Sequence, residues 1–164
     1  MAVDNRHHKD PLNSFHVEKL RRAVSIVLID GRRLDGDVFL FDRTRVGSTP
    51  EEPLDLLNDN DPFFPFSNGG EQLILIAKDQ VSRVETEIHD DSSNGELADG
   101  LMGVDISLHD GTAISGFVPL ERRGEQTRLL DYLNSYTKRF IPVFWGEQVC
   151  LVNRSLIASV SQLT

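Results

Sequence analysis

The segment Val24-Ser-Ile-Val-Leu-Ile-Asp-Gly31 recurs eighty residues later as Val104-Asp-Ile-Ser-Leu-His-Asp-Gly111. In the first, Val24, Ile26 and Leu28 alternate with Ser25, Val27 and Ile29, a short β-branched run that predicts a strand with at least one buried face. Asp30-Gly31 is a turn signal, because glycine accepts positive φ without steric cost. Val104, Ile106 and Leu108 repeat the pattern before Asp110-Gly111.

The likeness continues outward from these two stretches. Leu34-Asp-Gly36-Asp-Val38-Phe-Leu40 matches Ile114-Ser-Gly116-Phe-Val118-Pro-Leu120, and Asp55-Leu-Leu-Asn58 matches Asp131-Tyr-Leu-Asn134. Gly70-Glu-Gln-Leu-Ile-Leu-Ile76 then matches Gly146-Glu-Gln-Val-Cys-Leu-Val152, with Val81 and Val84 answering Ile157 and Val160. The spacing falls from 80 to 76, so the first copy carries a few extra loop residues. Five blocks in one order predict a duplicated small domain, and the period is far too long for a solenoid repeat.

Each copy should hold four to five strands. Leu34, Val38 and Leu40 share a face that Gly36 interrupts, as Gly116 interrupts its counterpart. A glycine inside a strand predicts the bend or bulge by which a small barrel curves. Pro119 removes a ladder donor, so that end of its strand should be an edge. Around Asp131 and Asn134 one helical turn is expected, with Leu130 and Leu133 inward. A Phe–Pro element, Phe63-Phe-Pro65 or Phe140-Ile-Pro142, should anchor this excursion back on the barrel. Two strands joined by a tight turn close each copy, Gln72–Ala77 and Val81–Glu85, or Gln148–Val152 and Ile157–Ser161. The resulting expectation is an all-β chain of two tandem small barrels with little helix. Local pattern leaves open whether the copies form separate barrels or share a sheet.

The organisation that follows is an N-terminal extension at 1–22, a first unit at 23–85, a linker at 86–100 and a second unit at 101–164. The linker, Thr-Glu-Ile-His-Asp-Asp-Ser-Ser-Asn-Gly-Glu-Leu-Ala-Asp-Gly, carries five acidic residues and no basic one, with too little apolar content to pack. Within the extension, Pro11–Arg22 fits a short helix capped by Asn13 or Ser14, or an extra strand through Phe15 and Val17.

The first copy, Asp30-Gly31-Arg32-Arg-Leu34-Asp-Gly36-Asp-Val38-Phe-Leu-Phe41-Asp42, resembles the first signature of the Sm-like family. Leu73–Ile76 and Val81–Val84 resemble the closing strands of its second signature. The resemblance covers about 60 residues of each copy. The middle section is instead similar to a group of uncharacterised bacterial proteins with Sm-like strands. This implies a strongly bent SH3-like small β-barrel, RNA binding, and rings built by strand pairing between subunits. A fused pair of copies would use that pairing within the chain or with others. The family's RNA-contacting positions are lost: Val46 stands where it has Asn, and Ala77-Lys78 where it has Arg-Gly. In the second copy, Arg122, Gln126 and Asn153-Arg154 replace its Asp, Asn and Arg-Gly.

The 164 residues are 39% hydrophobic and 26% charged, within the range of soluble domains. No apolar run approaches the roughly 18 residues that span a bilayer. The polar stretch Met1–Asp10 makes a secretory signal unexpected, and a cytoplasmic location is the expectation. One cysteine, Cys150, excludes an internal disulfide and a cysteine-rich zinc site. A net charge of −9 argues against broad binding to phosphate backbones.

Catalytic chemistry finds no spacing to support it. His7, His8, His16, His89 and His109 lie in unrelated elements and do not converge as metal ligands must. Asp55, Asp59, Asn60 and Asp61 lack the central Gly and distal Glu of a calcium loop. Cys150 lies in an apolar strand and reads as packing. No nucleophile elbow, phosphate loop or dinucleotide motif occurs. Neither enzyme activity, a cofactor nor a metal is expected.

The aromatic residues Phe63, Phe64, Phe66, Tyr136, Phe140, Phe144 and Trp145 admit two readings: lids over the barrel ends, or a protein-contact surface. Arg32, Arg33 and Arg43, with Arg45, Arg122 and Arg123, read as a basic rim for RNA or as partners of neighbouring carboxylates. The leading expectation is a non-enzymatic adaptor, assembly or accessory subunit that binds another protein or itself through strand edges and aromatic loops. An Sm-like RNA-binding protein and a barrel that senses a small ligand between the copies are the alternatives.

Overall fold

The structure, a computed structural model, describes residues 19–42, 50–89, 100–120 and 129–163. The predicted alternation becomes β1 (Lys19–Leu28), which buries Val24 and Ile26, and β6 (Leu101–Leu108), which buries Val104, Ile106 and Leu108. β1 starts ahead of the expected boundary at 23, so Lys19–Arg22 are strand rather than helix. The remainder of the N-terminal extension, linker residues 90–99, Arg43, Arg45, Val46, Arg122, Arg123 and Gln126 lie outside the described residues.

The Asp-Gly turns after β1 and β6 have one construction. Gly31 sits at φ +92° and Gly111 at φ +87°. Their amides donate to the carbonyls of Leu28 and Leu108, both at 2.9 Å. The preceding carboxylates accept from Arg32 N at 3.0 Å and Thr112 N at 2.9 Å. An L-residue with a Cβ resists this φ, which explains glycine here.

The chain then returns as β2 (Arg33–Phe41) and β7 (Ala113–Pro119). The β1–β2 register runs unbroken through Val24↔Gly36, so Gly36 is not a bulge. What requires glycine is the approach of the next strand. A Cβ on Gly36 would lie 2.1 Å from the backbone oxygen of Ser67, and one on Gly116 would lie 2.7 Å from that of Phe144. Pro119 ends β7 beyond its one pair with the following strand, Phe117↔Phe144, so its missing donor breaks no ladder there.

Two short helices follow, α1 (Pro53–Asn58) and α2 (Leu129–Ser135). The Phe–Pro elements are strands rather than loop anchors: β3 (Phe63–Ser67) and β8 (Phe140–Trp145). The closing pairs are β4 (Leu73–Ala77) with β5 (Val81–Glu87), and β9 (Gln148–Asn153) with β10 (Ile157–Gln162). A three-residue 3₁₀ turn joins each pair.

All ten strands form one antiparallel sheet, in the order β10-β6-β7-β8-β9-β5-β1-β2-β3-β4. The sheet is not closed; β10 and β4 are its two ends. Two separate barrels are therefore not what the strand pairing describes: β9 lies directly on β5. The order β5-β1-β2-β3-β4 in the first half recurs as β10-β6-β7-β8-β9 in the second. A register shift at Ser82, where β5 meets β1, also recurs at Ala158, where β10 meets β6.

Two hydrophobic clusters fill the halves, and they are not independent. The first gathers Ile26, Leu40, Leu57, Phe64, Phe66 and Val84, and adds Phe140 and Leu151 from the second half. The second gathers Val104, Ile106, Leu108, Val118, Ile141 and Val152. Full burial of a Phe or Leu side chain contributes about 1.5–3 kcal/mol, so the two borrowed residues bind the halves together substantially.

Candidate interaction surface

The site begins where β5 and β9 meet. Five residue pairs run from Arg83↔Val152 to Glu87↔Gln148. Side chains reinforce the ladder from both halves. Asn58, at the end of α1, donates to the carbonyl of Phe140 at 3.2 Å and accepts from its amide at 2.8 Å. The Tyr136 hydroxyl donates to the same carbonyl. Asn153 Nδ2 donates to the carbonyl of Val81 at 2.9 Å from a buried position. Arg139 reaches Asp79 at 2.8 Å on the outside. This junction is a strand-to-strand interface with an apolar interior and a polar surround.

At the two ends of the sheet are strands of the same kinds, with no strand on their outer sides among the described residues. β4 reads Leu-Ile-Leu-Ile-Ala and β10 reads Ile-Ala-Ser-Val-Ser-Gln; neither contains a charge. Leu73 and Leu75 on β4 are exposed, Leu75 to 68%. Edge strands that must stay unpaired usually carry lysine, proline or inward charges. Among the described residues neither edge has that protection. Lys78, next to β4, is wholly buried and held by Asp59 Oδ1 at 2.5 Å, so its charge does not guard the edge.

The aromatic candidates separate into two groups. Phe64, Phe66 and Phe140 are buried in the core and cannot touch a partner in this fold. Tyr136 and Phe144 are half-buried. Phe63 and Trp145 stand out, 57% and 61% exposed, and Trp145 stacks on Phe117 at 6.3 Å between ring centres. Of the arginines, Arg32 pairs with Asp30 at 2.7 Å and Arg33 with Glu85 at 2.6 Å. Among the described residues these two read as partners of carboxylates rather than as free cations for phosphate.

Chemistry is sparse elsewhere. Among the described residues no group of His, Cys, Asp and Glu is arranged to hold a metal ion. Burial under the junction, with the Glu85 carboxylate nearby, pushes the Cys150 thiol up to about 12, with Arg83 partly opposing. A thiol so held is protonated and a poor nucleophile at neutral pH. An open groove of about 320 Å³ runs past Arg83, Ser115, Trp145 and Cys150 between the halves. No helix among the described residues is long and apolar enough to cross a membrane.

Sequence reasoning missed Leu73 and Leu75 as surface residues, Asn58 as a cross-junction clamp and Lys78 as a buried cation. Only Asn58 left a trace, through its match with Asn134. Comparison with protein-family models, curated proteins and solved structures found no match to this chain.

Proposed function

We propose that the chain is a non-enzymatic assembly or adaptor subunit, descended from a doubled Sm-like unit, whose two sheet edges are protein-binding surfaces. The observation that carries this reading is the pair of uncharged edge strands, without a neighbour on their outer sides among the described residues, with Leu73, Leu75 and Phe63 exposed beside one of them. An edge of this kind offers a partner strand a full ladder of backbone hydrogen bonds together with apolar anchors. The recurrence of strand order between the halves supports the doubling. The pairing of Arg32 and Arg33 with carboxylates weighs against the RNA-binding alternative.

Photocrosslinking in cells tests the reading. A benzophenone amino acid placed at Leu75 or at Ala158 should yield protein adducts, and one placed at Asp105, inside the sheet on β6, should not. Equal yields at the three positions, or RNA in place of protein at the edges, overturn it.

A further inference from the structure

We infer that the groove between the halves is a binding site for a small aromatic monocarboxylate, whose acid group sits on Arg83 and whose ring lies against Trp145. The groove takes no residue from β4 or β10, so this site is independent of the sheet edges.

The two halves differ here, and the difference makes the groove. Strand pairing sets the correspondence: Val143 pairs with Cys150 as Phe66 pairs with Ile74. In the first half Phe66 is fully buried and fills the space under Gly36, its ring 2.6 Å from where a Cβ on that glycine would lie. In the second half those two places hold a valine and a cysteine, both smaller. On the facing strand Ala113 stands where the first half has Arg33. The groove of about 320 Å³ opens over these smaller residues and Ile114. Its volume is at the low end of the range for small-molecule sites. One place in the repeat is thus filled in the first half and hollow in the second.

Two recognition groups line the hollow. Arg83 comes from β5, in the first half. Its side chain is only 17% exposed, and its Nε donates to Glu85 Oε1 at 3.4 Å. The other Glu85 oxygen accepts from Arg33 at 2.6 Å, so Glu85 has both oxygens engaged and holds Arg83 in place. Among the described residues Nη1 and Nη2 of Arg83 have no hydrogen-bond partner. A largely covered guanidinium with unmatched N–H donors along a groove suits a planar anion, and a carboxylate meets it with paired parallel bonds.

Trp145 comes from β8, in the second half. Phe144 pairs with Val149 as Ser67 pairs with Leu73, so Trp145 answers Asn68. Its indole is exposed, and Phe117 stacks against it with the ring planes 17° apart. An indole pinned from one side offers a ligand ring an aromatic surface that needs little ordering. Glu87, exposed on β5 opposite Gln148, disfavours a second acid group at this end, which selects a monoacid. Because Arg83 and Trp145 belong to different halves, neither half holds the site alone.

Trp145 is the single tryptophan of the chain, so its fluorescence reports on the groove. Titration of the full chain with phenylpropionate, a minimal member of the class, should give a saturable change with Kd on the order of 1 mM. Phenylpropionamide has the same shape without the charge and should bind about tenfold more weakly or worse. Arg83→Gln should bring the acid down to the level of the amide. Val143→Phe combined with Cys150→Ile copies the filling of the first half and should abolish binding of both while the circular dichroism stays that of the wild type. Ala113→Glu, at an exposed position on the groove wall, leaves the core alone and should weaken the acid about tenfold with little effect on the amide; it decides the matter if either of the other variants fails to fold. No saturable change up to about 10 mM, equal affinity for acid and amide, or acid binding unchanged in any folded variant overturns the inference.

Discussion

Leu151 and Leu75 occupy corresponding places on corresponding strands, and so do Phe140 and Phe63. In each pair one residue belongs to a core and the other to the surface. The side chains barely differ, so intrinsic preference cannot account for the contrast. What differs is whether another five-strand set lies alongside. The first half has β9 on β5, the Asn58 clamp on the Phe140 backbone, and a helix packed down over the seam. The second half has the same strands in the same order, but among the described residues no strand lies on the outer side of β10, and α2 has no fully buried residue. A residue's burial here is a property of the assembly around its strand rather than of the strand itself.

The largest expected effect breaks the comparison at its apolar centre. Phe140→Ala should cost about 3–5 kcal/mol, because a fully buried ring is lost and a cavity remains. Phe63→Ala, measured in dilute solution where the chain is single, should change stability by no more than about 0.5 kcal/mol. Urea denaturation of both variants gives the two numbers. Similar costs for the two would mean that Phe63 has cover in the single chain.

The polar anchors give the next test. Lys78 is buried and Asp59 holds it, whereas Arg154, at the matching place in the second half, is exposed and reaches the carbonyl of Tyr136. Removing one partner of a buried pair leaves a charge without compensation. Asp59→Ala should therefore cost about 3 kcal/mol, the low end of the range, because the Asp59 side chain is 41% exposed and water can reach the ammonium. Arg154→Ala should fall within about 0.5 kcal/mol. Lys78→Met, which removes the charge and keeps the volume, should rescue most of the loss in the Asp59→Ala background. Smaller again is Asn58→Ala, at about 1–2 kcal/mol, since it strips the Phe140 amide of its acceptor and leaves the Phe140 carbonyl with the Tyr136 hydroxyl alone as side-chain donor. Asn134→Ala should be neutral in the single chain.

Much of this architecture was legible in the chain because alternation and turn chemistry are local. Val24, Ile26 and Leu28 specify a strand wherever it is placed, and Asp30-Gly31 specifies the turn that follows. The sharing of one sheet was not legible, because nothing in Val81–Glu87 records which strand lies on its outer side. Phe63-Phe64 shows the same limit: alternation says that one ring of the two points inward, but not which one. Nothing beside Lys78 in the chain marks it as buried, since its partner Asp59 lies nineteen residues earlier. Asp59 itself was visible only as one of a cluster of oxygens. Side chains that bond to distant backbone, as Asn58 does to Phe140, leave no periodic signature at all.

The smallest effect at neutral pH concerns Cys150, the counterpart of Ile74 on the bare edge. Its thiol is pushed up to about 12, first by burial and then by the Glu85 carboxylate. The folded chain thus holds the proton more tightly than the unfolded chain, whose thiol ionises in the usual range near 8.5. Below that range both states are protonated and Cys150 leaves stability unchanged. As pH climbs above it, the unfolded state gains by ionising, so stability drains away until the folded thiol also ionises near 12. At pH 8, iodoacetamide should label native Cys150 on the order of 10³ times more slowly than an introduced Leu75→Cys, which stands in solvent on the uncovered edge. Labelling of both thiols at one rate would mean that the β5–β9 junction opens freely, and the contrast between covered and uncovered edges would fail at its root.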